Sequence, residues 1–458
     1  MIQTLFKPNL SKKEQGLKFL TISFSRLIFD KKYYKNVCSH LICSPLWEKK
    51  ACLFLKRQLC QIHSFSDSVS FPKPVLKILS VCAAQASRNA FVWYFSPPYR
   101  ARFRQSADFF RHKKLKSFSD LLLFYACFES LYALYFLRKS YLKTNDWNQK
   151  NLIQREIKNK IREKQLRSTI GVLTSFCEDP ISISVKNHYE THPYPMWEQL
   201  ILTARPLIIQ PRSILIAGCG TGEYALQAAK RYPQAEVLAI DISLTSLAYA
   251  KRQNEKFHLK NIQWKQADIL KMPITYAGKF DLIESMGVLQ HLADPQAGLL
   301  KCAALLKPNG FLRLGLYITQ ARQLIHFIQQ FYPFSASLSP PLFKKWRAQL
   351  IDLMSKEKWG PTLATWHDLY TFPESYDLLC HSYEQTFSVS QLGIYFKAAG
   401  LNFLQCEAPH SSQQFDLDFF SQQCHKNKDK NQIVHHLATC EQSHPEFFRP
   451  LGIFWCQK

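Results

Sequence analysis

Two hydrophobic periodicities divide this chain. Up to about residue 165 the apolar positions return at three- and four-residue steps. In Pro74–Tyr94 they fall at Leu76, Leu79, Ala83, Ala86 and Ala90, predicting a helix that Pro97-Pro98 stops. Lys150–Arg167 is highly charged but keeps Ile153, Ile157 and Ile161 on one stripe, an amphipathic helix suited to linking two domains. The run Leu121–Leu137 is apolar apart from Glu129 near its centre. It is short for a bilayer span, and a charge there is costly, so it reads as a buried core helix. The first ten residues lack the pattern of a secretory signal.

Beyond Ile209 the period changes. Ser213–Ala217, Glu236–Asp241, Ile262–Gln266, Phe280–Ser285 and Phe311–Tyr317 read as strands, with room for one helix between neighbours. Such alternation predicts right-handed βαβ units and a parallel sheet. The pattern lapses after Tyr317, resumes at Asn402–Glu407 and ends in the apolar run Leu451–Cys456. The expected organisation is a basic all-helical N-terminal domain over 1–167, then an α/β domain over 168–458. The latter would carry a substrate-side insertion at about 319–389.

Length and composition agree with two globular domains: 458 residues, 47% hydrophobic and 20% charged, with no repeat of solenoid period. The net charge of +25 is uneven. Residues 1–180 hold 32 Lys and Arg against 12 Asp and Glu, a balance of +20, which leaves +5 for the rest. That excess suits an acidic partner or nucleic acid, or is a solvated basic surface. The 14 cysteines include no Cys-x-x-Cys pair, which suggests reduced thiols in a cytoplasmic protein and no structural zinc.

The sharpest chemical signal is Ile214-Leu-Ile-Ala-Gly-Cys-Gly-Thr-Gly-Glu223. A buried strand runs into Gly218, Gly220 and Gly222, then into a helix whose N-terminus offers amides and positive dipole. The next strand ends at Asp241, placed to accept a pair of ribose hydroxyls across the crevice. The third glycine comes one residue too early for a dinucleotide fingerprint, which favours S-adenosylmethionine over NAD. Asp268, closing the third strand, either meets an adenine amino group or caps the following turn.

With Phe280–Ser285 leading into Met286–Leu292 and the Pro308-Asn309-Gly310 turn, this ensemble resembles the class I S-adenosylmethionine-dependent methyltransferases. The resemblance implies a Rossmann-like seven-stranded sheet of order 3-2-1-4-5-7-6, with Leu451–Cys456 as the antiparallel last strand. The chain is similar in particular to bacterial methyltransferases with an N-terminal helical, often tetratricopeptide-repeat, region. Tyr189-Glu-Thr-His-Pro-Tyr-Pro-Met-Trp197 carries that likeness, with Gln85, Asn89, Val92 and Trp93 upstream. At the far end it rests on His444-Pro445, Phe447 and Phe454-Trp455. No tetratricopeptide repeat is visible here, so a repeat-mediated partner surface does not carry over.

Methyl transfer from a sulfonium needs alignment, dryness and, for some acceptors, a base. Glu284 and His291, at the carboxyl end of the fourth strand, are the candidate bases. Glu284 could instead meet the donor's amino group, and His291 could simply pack beside the pocket. Tyr189 and Tyr194 could wall the sulfonium with ring faces or belong to the core. No metal-ligand set is expected. The acceptor is open: small molecule or protein ahead of RNA, because Glu284-Ser-Met-Gly287 stands where a base-amine methylating Asn/Asp-Pro-Pro-Tyr would. Two other classes compete: an NAD-dependent dehydrogenase, and a non-catalytic partner-binding protein with a retained cofactor site.

Overall fold

The computed structural model describes residues 42–62, 70–103, 120–133, 146–202, 209–332, 334–407 and 430–458. The chain forms two units, Met1–Arg162 with Ser337–Leu378, and Glu163–Ala336 with Leu379–Lys458.

Among the described residues of the first unit the regular elements are helical. Pro45–Gln61 starts on Ser44, whose Oγ accepts the Trp47 N–H at 3.3 Å. Lys73–Arg88 is buried continuously from Ile78 to Ser87, with Ala83, Ala84 and Ala86 letting neighbours approach. It ends at Arg88, short of Tyr94, because Ala90 and Phe91 adopt positive φ. The apolar run from Leu121 is helical only over Asp120–Tyr125 and then turns. Phe128 stacks on Phe103 at 4.7 Å after that turn, so the run is core without being one long helix; its residues 134–137 lie outside the described ones.

The charged segment holds a surprise. Between Trp147–Ile153 and Asn159–Arg167 the backbone widens into a π-helical turn, Gln154–Lys158. That turn swings Glu156 inward, where it accepts the Ser87 Oγ at 2.5 Å and the Ser130 hydroxyl, with Lys160 Nζ at 3.6 Å. A carboxylate buried to 4% exposure needs such partners.

The expected insertion at 319–389 does not stay whole. Ser337–Leu378 belongs to the helical unit, and the division after the N-terminal part falls at Arg162 and not at 167. The physical reason is Arg347 on the helix Pro340–Met354. Its guanidinium grips Glu48 with two bonds of 2.8 and 2.9 Å and donates from Nε to the Leu369 carbonyl at 2.7 Å, fully buried. Gln85 and Asn89 serve the same unit, taking the N–H of Ile42 and of Phe372 at 2.9 Å each. Arg347→Met strands a buried carboxylate and is expected to lower stability by about 3–5 kcal/mol. Adding Glu48→Gln should recover much of that loss in urea denaturation.

The second unit is a mixed α/β sheet of eight strands. They are β1 (Gly171–Val172), β2 (Ser213–Ala217), β3 (Glu236–Asp241), β4 (Ile262–Gln266), β5 (Phe280–Met286), β6 (Leu306–Leu316), β7 (Asn402–Cys406) and β8 (Gly452–Gln457). Their order is β1-β4-β3-β2-β5-β6-β8-β7. Strands β1 to β6 pair in parallel, and β8 runs antiparallel to both its neighbours. Seven strands were expected. The eighth is the exposed pair Gly171–Val172 beside Lys265 and Gln266, too short and too wet to leave a hydrophobic pattern. Ile214–Ala217 is buried on both faces, as a central parallel strand requires. Leu215, Ala217, Ile283 and Leu314 fill one face; Ile214, Ile216, Leu282 and Trp455 fill the other, under Ala225 and Ala229.

Candidate cofactor and acceptor site

After β2 the backbone turns through the glycine loop into the helix Glu223–Arg231. Gly218 and Cys219 donate their N–H groups to the Ile240 carbonyl at 3.0 and 2.8 Å, tying the loop to β3. Gly220 and Gly222 hold φ of +50° and +88°. A Cβ on Gly220 would lie 2.7 Å from the Tyr194 carbonyl oxygen, and one on Gly222 2.5 Å from Ala250 Cβ. The glycines are therefore demanded by the protein's own packing as well as by any ligand. Gly222 gives the helix no side-chain cap, so its first-turn amides face the loop.

The segment Tyr194–Trp197 explains why the loop has this shape. The Pro195 carbonyl accepts the Thr221 hydroxyl, and Trp197 Nε1 donates to the Thr221 carbonyl at 3.1 Å. The Trp197 carbonyl in turn takes the Tyr249 hydroxyl at 2.5 Å and Gln253 Nε2 at 2.6 Å. The aromatic-proline motif is thus a clasp on the glycine loop, and the Tyr194 backbone is part of it.

Asp241 ends β3 with its carboxylate already oriented. Oδ2 accepts the Gly220 N–H at 2.7 Å and Oδ1 the Ser243 N–H at 2.8 Å. Burial pushes its pKa up to about 6; the two backbone donors pull the other way, and Glu190 adds to the rise. Glu190 sits near the end of the helix Pro180–Thr191, where it accepts the Leu244 N–H at 2.5 Å and pairs with Arg167 at 3.2 Å. Next to it, the Tyr189 carbonyl accepts the Ser243 hydroxyl at 3.0 Å. One helix end is thereby fixed against the tip of β3.

Asp268 is a cap. Its oxygens take the Leu270 and Cys177 N–H groups at 2.9 Å each, opening the short turn Ile269–Lys271. Glu284 does not suit the role of base. It is wholly buried and paired at 3.0 Å with Arg313, which also grips Glu407 at 2.7 and 2.8 Å. Trp455 Nε1 donates to Glu407 at 2.8 Å. A carboxylate locked to an arginine within this network is structural, and proton transfer to it would take away part of the cation's counter-charge.

His291 closes the turn Leu289–His291 after β5, with Nδ1 2.9 Å from the Tyr383 carbonyl oxygen. His381 stacks on it at 3.8 Å and places Nε2 3.2 Å from the Tyr189 hydroxyl. Tyr317 lies edge-on to His291 at 5.9 Å. Beside them Arg322 forms two bonds of 2.8 and 2.7 Å with Glu384. Burial would raise that carboxyl's pKa, but the guanidinium outweighs it and holds the group well below the usual range. His291, Tyr189 and Asp241 are thus gathered by the ends of three elements. Tyr383, Ser243 and Thr221 escaped the sequence reading, since they act largely through backbone or short polar groups that leave no periodic signal.

The family model of a methyltransferase domain matches residues 212–363. The chain is 29% identical over 210 residues to malonyl-[acyl-carrier protein] O-methyltransferase of Halalkalibacterium halodurans, covering 45% of this chain and 73% of that one. It is 37% identical over 114 residues to trans-aconitate 2-methyltransferase of Deinococcus radiodurans, covering 25% and 40%. An uncharacterised protein of Synechococcus sp. is 36% identical over 141 residues, covering 30% of this chain. The chain thus spans only 33% of the Synechococcus protein and 40% of the trans-aconitate enzyme. PKMT2 from Rickettsia typhi, solved in complex with AdoHcy, aligns at a TM-score of 0.40 and 20% identity, covering 55% of this chain and 49% of that one. The chain carries a class I S-adenosylmethionine-dependent methyltransferase domain.

Two outcomes test this geometry. Gly220→Ala should cost about 1–2 kcal/mol from its backbone angle alone, and more from the Tyr194 carbonyl. A melting temperature equal to the parent's would contradict the clasp. Asp241 takes up its proton near pH 6 in the folded chain, above the ordinary carboxylate value. Calorimetric affinity for S-adenosylhomocysteine should therefore be level above pH ~7 and fall up to about tenfold per unit below ~6. Asp241→Asn should flatten that profile.

Proposed function

We propose that the chain transfers a methyl group from S-adenosylmethionine to a small-molecule or protein acceptor. The observation that carries this reading is the coupling of Asp241 to the glycine loop. A half-buried carboxylate at a strand tip, pre-oriented by the Gly220 and Ser243 amides, is suited to a pair of ribose hydroxyls. Gly218, Gly220 and Gly222 let the loop turn tightly beside it, and the amides of Glu223–Arg231 suit the donor's carboxylate.

The bound donor would supply an electrophilic methyl on a sulfonium sulfur. The chain's part is to hold that carbon in line with the acceptor, exclude water and take a proton where the acceptor has one to lose. Tyr189 offers an aromatic face to the cation, and His291 is the base. Tyr194 contributes through its backbone. Asp268 supports the adenine side of the crevice by capping the turn beneath it.

The +20 balance of residues 1–180 supports a second element of the reading, an acidic partner held by broad electrostatic attraction and released by salt. An NAD-dependent dehydrogenase is disfavoured by the glycine spacing. Titration calorimetry with S-adenosylhomocysteine and, separately, NAD should give heat with the first alone. Asp241→Ala should weaken S-adenosylhomocysteine by roughly ten- to a hundredfold, about 1–3 kcal/mol. Unchanged affinity in that variant would move the site elsewhere.

A further inference from the structure

Tyr383 presents its peptide group to two stacked histidines, and the two contacts are of opposite kind. Its N–H donates to His381 Nδ1 at 3.0 Å, while its carbonyl faces His291 Nδ1 at 2.9 Å. A backbone N–H needs a lone pair, so His381 Nδ1 is deprotonated. A carbonyl needs a donor, so His291 Nδ1 carries hydrogen. The neutral His381 ring therefore bears its hydrogen on Nε2, which points at the Tyr189 hydroxyl oxygen at 3.2 Å. The neutral His291 ring bears its lone pair on Nε2.

We infer that the Tyr383 main chain locks His291 and His381 in opposite tautomers, making His291 Nε2 the proton acceptor and His381 the positioning residue for Tyr189. The inference rests on the methyl-transfer reading and deepens it by assigning the proton's route. The acceptor's heavy atom would use a lone pair to form its bond to the methyl carbon. The carbon–sulfur bond would break with its electron pair passing to sulfur, which becomes neutral. The acceptor's proton would pass to His291 Nε2, and the resulting imidazolium would keep its Nδ1–H on the Tyr383 carbonyl.

His381 enters no bond-making step. By donating to the Tyr189 oxygen it turns that hydroxyl's own hydrogen outward. Because Nδ1 is occupied as an acceptor, His381 cannot become an imidazolium without breaking the Tyr383 contact. The stack thus pairs one ring that keeps its Tyr383 contact on taking a positive charge with a neighbour, 3.8 Å away, whose Tyr383 contact favours the neutral form, which spares the pair a like-charge conflict.

Long-range proton–nitrogen correlation spectra of the full chain, labelled with 15N-histidine, test this directly. His291→Asn and His381→Gln identify the two rings by loss of signal. At neutral pH His291 should show hydrogen on Nδ1 and His381 hydrogen on Nε2. The same tautomer in both rings, or a doubly protonated His381, would overturn the proposal. With 13C-labelled tyrosine, assigned by Tyr189→Phe, the Tyr189 Cζ signal should shift in His381→Leu. It should stay near the parent position in His381→Gln, whose amide keeps a donor there. Equal shifts in both variants would reduce His381 to a packing role. S-adenosylhomocysteine binding, measured on the same samples, reports separately on the methyl-transfer reading. Correct tautomers without binding defeat that reading, and binding with the wrong tautomers defeats this inference alone.

Discussion

The site depends on one carboxylate that serves two loops. Asp241 holds the amide of Gly220 from the loop after β2 and the amide of Ser243 from the turn after β3. Neighbouring parallel strands end side by side, but nothing in strand pairing fixes how the chain leaves them. A carboxylate that accepts from both exits fixes the crevice between them before any ligand arrives. The Tyr194–Trp197 clasp and the Glu190 cap brace the same two exits from outside, through Thr221 and Leu244. Such redundancy suits a loop with three left-handed glycines, which would otherwise sample many shapes.

The residues differ sharply in how readable they were. Ser213–Ala217 and Glu236–Asp241 form strands over the spans their hydrophobic runs suggest, because buried parallel strands leave unbroken apolar stretches, whereas Ile262–Gln266 is a strand of mixed apolar and polar residues. Gly218 to Gly222 and Asp241 were legible because their spacing is local. Glu284 misled for the opposite reason. A carboxylate near a strand end looks available until Arg313 and Glu407 are seen beside it, and those partners come from distant parts of the chain. Arg347 with Glu48 is a longer-range case still, and it moved Ser337–Leu378 into the helical unit. Pairings of this kind have no period and no spacing rule. They become visible only once the fold has brought the partners together.

Several residues of the family-like motifs turn out to be scaffold. Gln85 and Asn89 tie backbone segments of the helical unit, Trp197 clasps the glycine loop, and Phe447 and Trp455 are core. A motif can therefore mark a fold dependably while saying little about the acceptor. In the proposed reading the acceptor side falls to groups such as His381 and Tyr383, which lie where hydrophobic patterning lapses.

The position of β8 has a consequence for how the chain is made. It lies between β6 and β7, so these two strands touch each other only through it. Glu284, Arg313 and Glu407 are synthesised well before Trp455, whose indole completes their network. Until residues 452–457 emerge from the ribosome, β6 has one open flank carrying Leu312, Leu314 and Leu316, all buried in the finished protein. An apolar strand with unpaired amides is a template for wrong pairing. A chain cut short before residue 452 would thus leave that apolar edge of β6 uncovered.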